Sequence, residues 1–182
     1  MKTFLFISIL FNCFFCTGQV KKNTMSSQLH FYKNDQDVIV MKNYHSINSV
    51  KKLTSYFKGR PILLDLWATW CTTCINDFSN SDSIYNLLAR KKVQLVYVSM
   101  DQNEKDTTWQ RILHLKKLKG YHVRASKNLQ DDLTLLIWGA KDVMSIPHYL
   151  IFDKFGKLSE RNAFPSVSGL ELINSISKKF EN

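Results

Sequence analysis

The pattern of apolar positions predicts two neighbouring buried strands in the first half of the chain. Ile62–Trp67 is apolar on both faces apart from Asp65, as is typical of a central strand in an α/β sheet, and residues 93–100 form a second apolar run. Between them, apolar residues from Cys71 onward recur at helical spacing, and polar residues 80–83 predict a kink or break. Because a helix connects the two strands, we expect them to pair in parallel.

The second half of the chain predicts a hairpin and three helices. His148–Phe152, preceded by Pro147, is followed by a turn at residues 153–156 and a last strand near 157–161, which predicts an antiparallel pair. The remaining predicted elements are a strand at 38–40, helices at 49–57, 106–118 and 129–137, and a C-terminal helix opened by a capping box at 168–171. The predicted class is therefore α/β, with a mixed central sheet and helices on both faces.

Composition and charge exclude some classes of function. The chain has 182 residues, of which 45% are hydrophobic and 22% charged, as in an ordinary globular domain. The formal net charge is +10, but the lysines are scattered, and the densest cluster (Lys116, Lys117 and Lys119) is typical of a solvated helix face. Since no nucleic-acid-binding motif accompanies it, we expect no nucleic-acid partner.

The N-terminus has the pattern of an export signal. Lys2 precedes the apolar run 4–15, which is short for a membrane span, and small residues follow at 16–18. We expect a signal peptide at 1–18, a polar tether at 19–34 and one domain at 35–182, located in the periplasm or cell envelope. A lipid anchor on Cys13 or Cys16 is the alternative, although the residues before each cysteine lack the usual small side chains.

The cysteine count then concentrates attention on one pair. Two of the four cysteines lie in the predicted signal, which leaves Cys71 and Cys74 for the domain. A disulfide between them would close a very small loop and stabilise the fold little, so a structural role is weak. If Cys71 starts a helix after a strand, unpaired backbone N–H groups and the helix dipole favour its thiolate. Cys74, one turn on and more buried, is then the resolving thiol.

Asp65 lies inside an apolar strand, where an ionised carboxylate is costly. Burial is expected to raise its pKa toward neutrality, which suits an acceptor for the Cys74 proton. A structural carboxylate with satisfied hydrogen bonds is the alternative interpretation.

These residues carry a resemblance to a known family. The segment "DLWATWCTTC" resembles the active-site region of the thioredoxin superfamily, and "WATWC" resembles its exported TlpA/ResA-like branch. Supporting segments extend over most of the chain from about residue 49: "YVSMD" at 97–101, "SIPHYLIFDKFGKL" at 145–158 and "FPS" at 164–166.

The resemblance implies a thioredoxin fold and a thiol–disulfide oxidoreductase with a reversible Cys71–Cys74 disulfide. It also implies a cis peptide bond between Ile146 and Pro147, facing the cysteines and pairing with the backbone of a protein substrate, with Trp70 at the rim of that contact. The implied partners are protein disulfides or dithiols and a membrane or envelope electron donor, without a cofactor. The implied direction is reduction.

The sequence departs from the branch at three places. Thr72-Thr73 stands between the cysteines where prolines are frequent. Asp65 stands where many members of the branch carry asparagine, and in this respect the chain resembles classical thioredoxin instead. His148 follows the proline at a position that other residues often occupy, and we interpret it as a packing residue.

Other functions are less consistent with these patterns. A single CxxC is half of a zinc site, and no local ligand spacing connects it with His114, His122 or His148, so we predict no metal. A peroxidase would need a different motif around its cysteine, and a pure binding module tends to lose the cysteines. A disulfide oxidant or isomerase on the same fold, or a copper- or zinc-binding protein, remains the alternative to a reductase.

Overall fold

A computed structural model describes residues 31–34, 38–141, 143–164 and 169–180 of the chain, with side chains from residue 38 onward except that of Asn103. The strands are β1 Phe31–Asn34, β2 Val38–Met41, β3 Ile62–Trp67, β4 Gln94–Ser99, β5 Gly120–Arg124, β6 His148–Phe152 and β7 Leu158–Glu160. The helices are α1 Val50–Ser55, α2 Thr72–Asp77, α3 Ser81–Arg90, α4 Asp106–Lys116, α5 Lys127–Trp138 and α6 Gly169–Lys179, with short 3₁₀ turns at Tyr44–Ser46, Phe78–Asn80 and Asn103–Lys105.

The strands form one mixed sheet in the order β1-β2-β5-β4-β3-β6-β7. β3 pairs in parallel with β4, and β6 pairs antiparallel with β7, as predicted from the connections. β6 also pairs antiparallel with β3, which joins the hairpin to the central strands. Every residue of β3 is buried, because helices cover both faces of the sheet. The predicted α/β class and helix-flanked mixed sheet are confirmed.

Two strands were not predicted. Residues 31–34 lie within the segment expected to be a tether, yet they form β1 and pair with β2, so the sheet begins before residue 35. β5 was also not predicted, because Gly120, just after the helix predicted at 106–118, is more typical of a helix end than of a strand. Gly120 has φ +132°, and a Cβ there would lie 2.9 Å from the Leu95 carbonyl oxygen, so the strand starts where only glycine fits.

The helix after Cys71 is interrupted as predicted, but the interruption is the 3₁₀ turn Phe78–Asn80, and residues 81–83 already belong to α3. The predicted capping box includes Ser168, which lies outside the described residues. Among the described helices, none is both long and apolar enough to cross a membrane.

Candidate functional site

The two cysteines lie at the start of α2, after the short turn that follows β3. Cys71 is the N-cap residue of α2 in an extended conformation, and its Sγ accepts a hydrogen bond from the Cys74 backbone N–H at 3.2 Å. The two side chains form a disulfide with a Cα–Cα distance of 5.3 Å. Cys71 is 6% exposed and Cys74 is 2% exposed, so Cys74 is the more buried of the two, as predicted.

This placement controls the chemistry of the reduced pair. An N-cap sulfur lies among backbone N–H groups that α2 leaves unpaired, at the positive end of the helix dipole. Both interactions stabilise the Cys71 thiolate relative to the thiol. Thr72 and Thr73, the two residues between the cysteines, are exposed at the start of the helix.

The proline loop meets the cysteines from the other side. β6 runs antiparallel to β3 with His148 opposite Leu66, so the residues before His148 lie beyond the end of β3, beside the cysteine turn. The Ile146–Pro147 peptide bond is cis, and Cys71 Sγ lies 3.7 Å from the Ile146 carbonyl oxygen. The structure therefore brings together Cys71, Cys74 and the predicted cis-proline.

Trp70 and His148 flank this contact in different ways. Trp70 is 58% exposed and immediately precedes Cys71, a position open to a docking protein. His148 is buried, its Nε2 lies 2.7 Å from the Arg161 carbonyl oxygen, and its ring packs against Trp138 at 5.2 Å between centroids. Burial lowers the pKa of His148, so the ring is neutral and packs as expected.

Asp65 is buried on the sheet face that α2 and α3 cover. Burial, and then the charge of Asp77, raise the pKa of Asp65 to about 8. Its Oδ1 atom is buried without a hydrogen-bond partner among the described residues. No protein group among the described residues therefore satisfies this oxygen.

Asp77 is a second carboxyl group that the sequence analysis missed. Asp77 and Asp65 line the same small cavity, together with Tyr97 and Tyr149. The volume open to the centre of a water molecule is about 10 Å³, which is roughly enough for one water. Burial raises the pKa of Asp77, and a hydrogen bond from the Gly169 backbone partly opposes this. The signal was its position three residues after Cys74, on the same side of α2.

The two tyrosines add no acid or base to the cavity near neutral pH. Burial, and then the charge of Asp65, raise the pKa of both Tyr97 and Tyr149 well above the ordinary value, so both phenols keep their protons. The groups that titrate around the cavity are thus the two carboxyls.

The described contacts of His122 do not include the cysteines. His122 is fully buried, with Nε2 2.7 Å from the Leu118 carbonyl oxygen and its ring stacked on Tyr97, and burial lowers its pKa to about 4. Within the described parts of the chain, no cluster of three or more His, Cys, Asp or Glu side chains is arranged to hold a metal ion.

Sequence comparison gives a short match to a curated thiol:disulfide interchange protein. The chain is 41% identical over 56 residues to the thiol:disulfide interchange protein DsbE of Vibrio cholerae, a match covering 30% of this chain. The match spans only 28% of that relative's length.

Structural comparison finds longer matches. The thioredoxin domain of a thiol-disulfide oxidoreductase from Bacteroides vulgatus is 26% identical, with TM-score 0.52, covering 70% of this chain and 84% of that one. A thiol:disulfide interchange protein from Bacteroides sp. is 25% identical, with TM-score 0.52, covering 69% and 76%. A thioredoxin family protein from Chlorobium tepidum, at 15% identity, TM-score 0.56 and coverage of 70% and 84%, supports the fold alone.

A family model described as Redoxin matches residues 27–172, which is most of the chain and includes both cysteines and the cis-proline. The expected thioredoxin fold agrees with the structural matches. The chain belongs to the Redoxin family.

Proposed function

We propose that this protein is a thiol–disulfide oxidoreductase that reduces disulfides of other proteins in the cell envelope. The observation that carries the proposal is the Cys71–Cys74 disulfide at the start of α2, with Cys71 Sγ 3.7 Å from the carbonyl of the cis-proline loop. A nucleophilic sulfur, a resolving sulfur and a free backbone for docking are what disulfide exchange requires.

The reaction begins with the reduced pair. The Cys71 thiolate attacks one sulfur of the partner's disulfide, so a Cys71–partner bond forms, the partner's S–S bond breaks, and the leaving partner thiolate takes a proton from solvent. Cys74 then loses its proton, and its thiolate attacks Cys71 Sγ. The Cys71–Cys74 bond forms and the second partner thiolate leaves. The partner gains two electrons, and the protein loses them.

Asp65 is the proposed acceptor of the Cys74 proton. An acid and a base exchange a proton efficiently when their pKa values are close, and the pKa of Asp65, about 8, is near that of an ordinary cysteine, about 8.5. When an envelope dithiol donor later reopens the disulfide, protonated Asp65 returns the proton to Cys74. Asp65 thus serves both directions of the cycle.

The docking site is proposed to be the loop around the cis-proline. An extended substrate segment pairs with the backbone near Ile146 and Pro147, both half-buried, and the exposed indole of Trp70 covers its side. The same geometry also serves an oxidant or an isomerase. The reduction potential decides between them, since a value near −270 mV indicates a reductase and one near −120 mV an oxidant, on the approximate scale of known family members.

A trapping experiment tests the exchange mechanism. Cys74→Ser is expected to accumulate a mixed disulfide between Cys71 and its substrate, because the resolving thiol is gone. Cys71→Ser is expected to abolish exchange. The measurement is non-reducing electrophoresis with mass spectrometry of the trapped partner, and insulin reduction as the activity assay. Full activity of Cys71→Ser would contradict the mechanism.

The location in the envelope rests on the sequence pattern of residues 1–18, which lie outside the described residues. An electron donor and a lipid anchor on Cys13 or Cys16 belong to the same proposal. Cell fractionation and the intact mass of the purified protein test it. We expect a protein in the envelope fraction that begins near Gln19, or one that begins at a diacylated cysteine. A cytosolic protein with its first eighteen residues intact would contradict export.

A further inference from the structure

A buried carboxylate just after the end of β4 holds the turn that carries the nucleophile. The Thr69 backbone N–H donates to both carboxylate oxygens of Asp101, at 3.1 and 2.9 Å, and the Thr69 hydroxyl donates to Oδ1 at 2.7 Å. Asp101 is fully buried and follows the end of β4. Thr69 lies two positions before Cys71, so this contact acts directly on the cysteine turn.

Asp101 is itself firmly held. The Ser99 hydroxyl donates to its Oδ2 at 2.7 Å, and the Asp101 backbone N–H donates back to Ser99 Oγ at 3.2 Å. The side-chain amide of Gln130, on α5, donates to the Asp101 carbonyl oxygen at 3.3 Å. These hydrogen bonds tie both the side chain and the backbone of Asp101 to neighbouring elements, so the anchor is fixed relative to the sheet.

The turn is short enough for one anchor to orient it. The Trp67 carbonyl accepts from the Met100 backbone N–H at 2.8 Å, and the Cys71 N–H donates to the Ala68 carbonyl at 3.0 Å. Thr69 and Trp70 are the central residues of the turn between Ala68 and Cys71. Because Thr69 is bound inward by the carboxylate, Trp70 points outward and is 58% exposed.

We infer that Thr69 and Asp101 are positioning residues for disulfide exchange, holding the turn that presents Cys71 and Trp70. The inference deepens the proposed function and rests on it for its biological meaning. Neither residue touches the reacting sulfurs in the described contacts. They act through the backbone, by keeping Cys71 at the N-cap of α2 and beside the Ile146 carbonyl.

The consequence concerns the reduced protein. The Cys71 thiolate depends on the Cys74 N–H, which lies 3.2 Å from Cys71 Sγ in the disulfide form. A turn released from Asp101 can tilt, which lengthens this contact and removes part of the thiolate stabilisation. The sulfur also loses its alignment with the docking loop, and small misplacements of a reacting group are costly.

The test compares two substitutions of Thr69 in full-length protein carrying Cys74→Ser. Thr69→Val keeps the shape and removes the hydroxyl, whereas Thr69→Ser keeps the hydroxyl. The readout is the pH dependence of carbamidomethylation by iodoacetamide, with labelling at Cys71 followed by peptide mass spectrometry because Cys13 and Cys16 are also present. We expect Thr69→Val to raise the pKa of Cys71 by about one unit and therefore to slow labelling several-fold at a pH below that pKa, with Thr69→Ser within about twofold of the parent.

Thr134→Val is the matched control. It removes the hydroxyl of a buried threonine, which donates to the Asp131 carbonyl in α5 at 3.1 Å. Both valine variants lose some stability, but the control leaves the pKa of Cys71 unchanged. Asp101→Asn is a second variant that weakens the anchor and is expected to shift the pKa in the same direction as Thr69→Val.

Two outcomes would overturn the inference. One is a Thr69→Val protein whose Cys71 pKa matches that of Thr134→Val, and the other is equal shifts for Thr69→Val and Thr69→Ser. Failure of the proposed function looks different, because the unmodified pair would then reduce no protein disulfide even though Cys71 has a depressed pKa that depends on Thr69.

Discussion

Asp65 is a carboxyl group at a position where the strand pattern calls for an apolar side chain. It is buried in β3, and burial, followed by the charge of Asp77, raises its pKa from 3.8 to about 8. The folded protein therefore keeps a proton that the unfolded chain releases above about pH 4. The sign follows from proton linkage: stability from this group is full below the unfolded pKa and is lost as the pH rises through the folded pKa.

Asp65→Asn should expose both the stability effect and the proton transfer. Relative to the parent, the oxidised variant should be more stable at pH 8 and similar at pH 4, with a gain of several kcal/mol, since each pKa unit corresponds to ~1.4 kcal/mol. The variant should also resolve the mixed disulfide at least about tenfold more slowly while attack by Cys71 changes little. Urea unfolding across pH and rapid-quench kinetics measure the two effects. Equal slowing of both steps would leave Asp65 with a structural role alone.

Asp77→Asn is the companion substitution for Asp65. It keeps Asp65 and removes the like charge that contributes to its raised pKa, so the pKa of Asp65 should fall, although burial keeps it above the ordinary value. Carboxyl-carbon NMR titration follows this directly. Asp131 forms an ion pair with the exposed Lys127 on α5. Asp131→Asn is therefore the control, and it should not change the pKa of Asp65.

At the scale of elements, some strands could be predicted from the sequence and others could not. β3 is apolar apart from Asp65. The Asp153 turn marks the β6–β7 hairpin, because Asp153 Oδ1 accepts from the Phe155 and Lys157 backbone N–H groups. β1 pairs with β2 over only four residues, and its two aromatic residues followed by two polar residues form too short a pattern to predict a strand. Pattern alone therefore identifies the strands that bury side chains on both faces.

β5 was missed because it buries polar residues inside the sheet. His122 is satisfied by the Leu118 carbonyl, and Arg124 pairs with Asp106 of α4 at 2.8 Å, where Tyr44 also donates to the same carboxylate at 2.5 Å. These partners lie on other elements, so no local pattern reveals them. The same limit applies to the site. The CxxC motif and the proline can be recognised from the sequence, whereas the roles of Asp77 and of the Thr69–Asp101 contact depend on neighbours that only the fold brings together.

Gly120→Ala tests how β5 begins. The residue has φ +132°, and the new Cβ would lie 2.9 Å from the Leu95 carbonyl oxygen, a backbone atom that cannot move aside cheaply. We expect destabilisation by about 2–4 kcal/mol, from strain and overpacking together. Gly139→Ala is the control, since φ there is +72° but nothing lies within 4 Å of the added Cβ, and it should cost about 1 kcal/mol. Equal losses in urea unfolding would remove the steric argument.

At the scale of the whole molecule, the direction of electron flow is a question of relative stability. For a protein whose oxidised and reduced forms both fold, the difference between their unfolding free energies shifts the reduction potential. Stabilising the reduced form makes an oxidant, whereas stabilising the oxidised form makes a reductant. In this chain the N-cap position favours the Cys71 thiolate, and hence the reduced form. Asp65 acts in the opposite direction. In the proposed cycle its buried carboxyl group is protonated and neutral in the disulfide form but ionised in the reduced form, and burial disfavours the ionised group.

A reductase requires the second effect to exceed the first. We therefore expect the oxidised protein to unfold at higher urea concentration than the reduced protein at pH 7, with ~1.4 kcal/mol of difference for each ~30 mV by which folding lowers the potential of the cysteine pair. A potential measured independently in glutathione or dithiothreitol buffers must agree with that difference. A reduced form that is the more stable of the two would instead identify an oxidant, because stabilisation of the Cys71 thiolate at the start of α2 would then exceed the effect of Asp65 on the oxidised form.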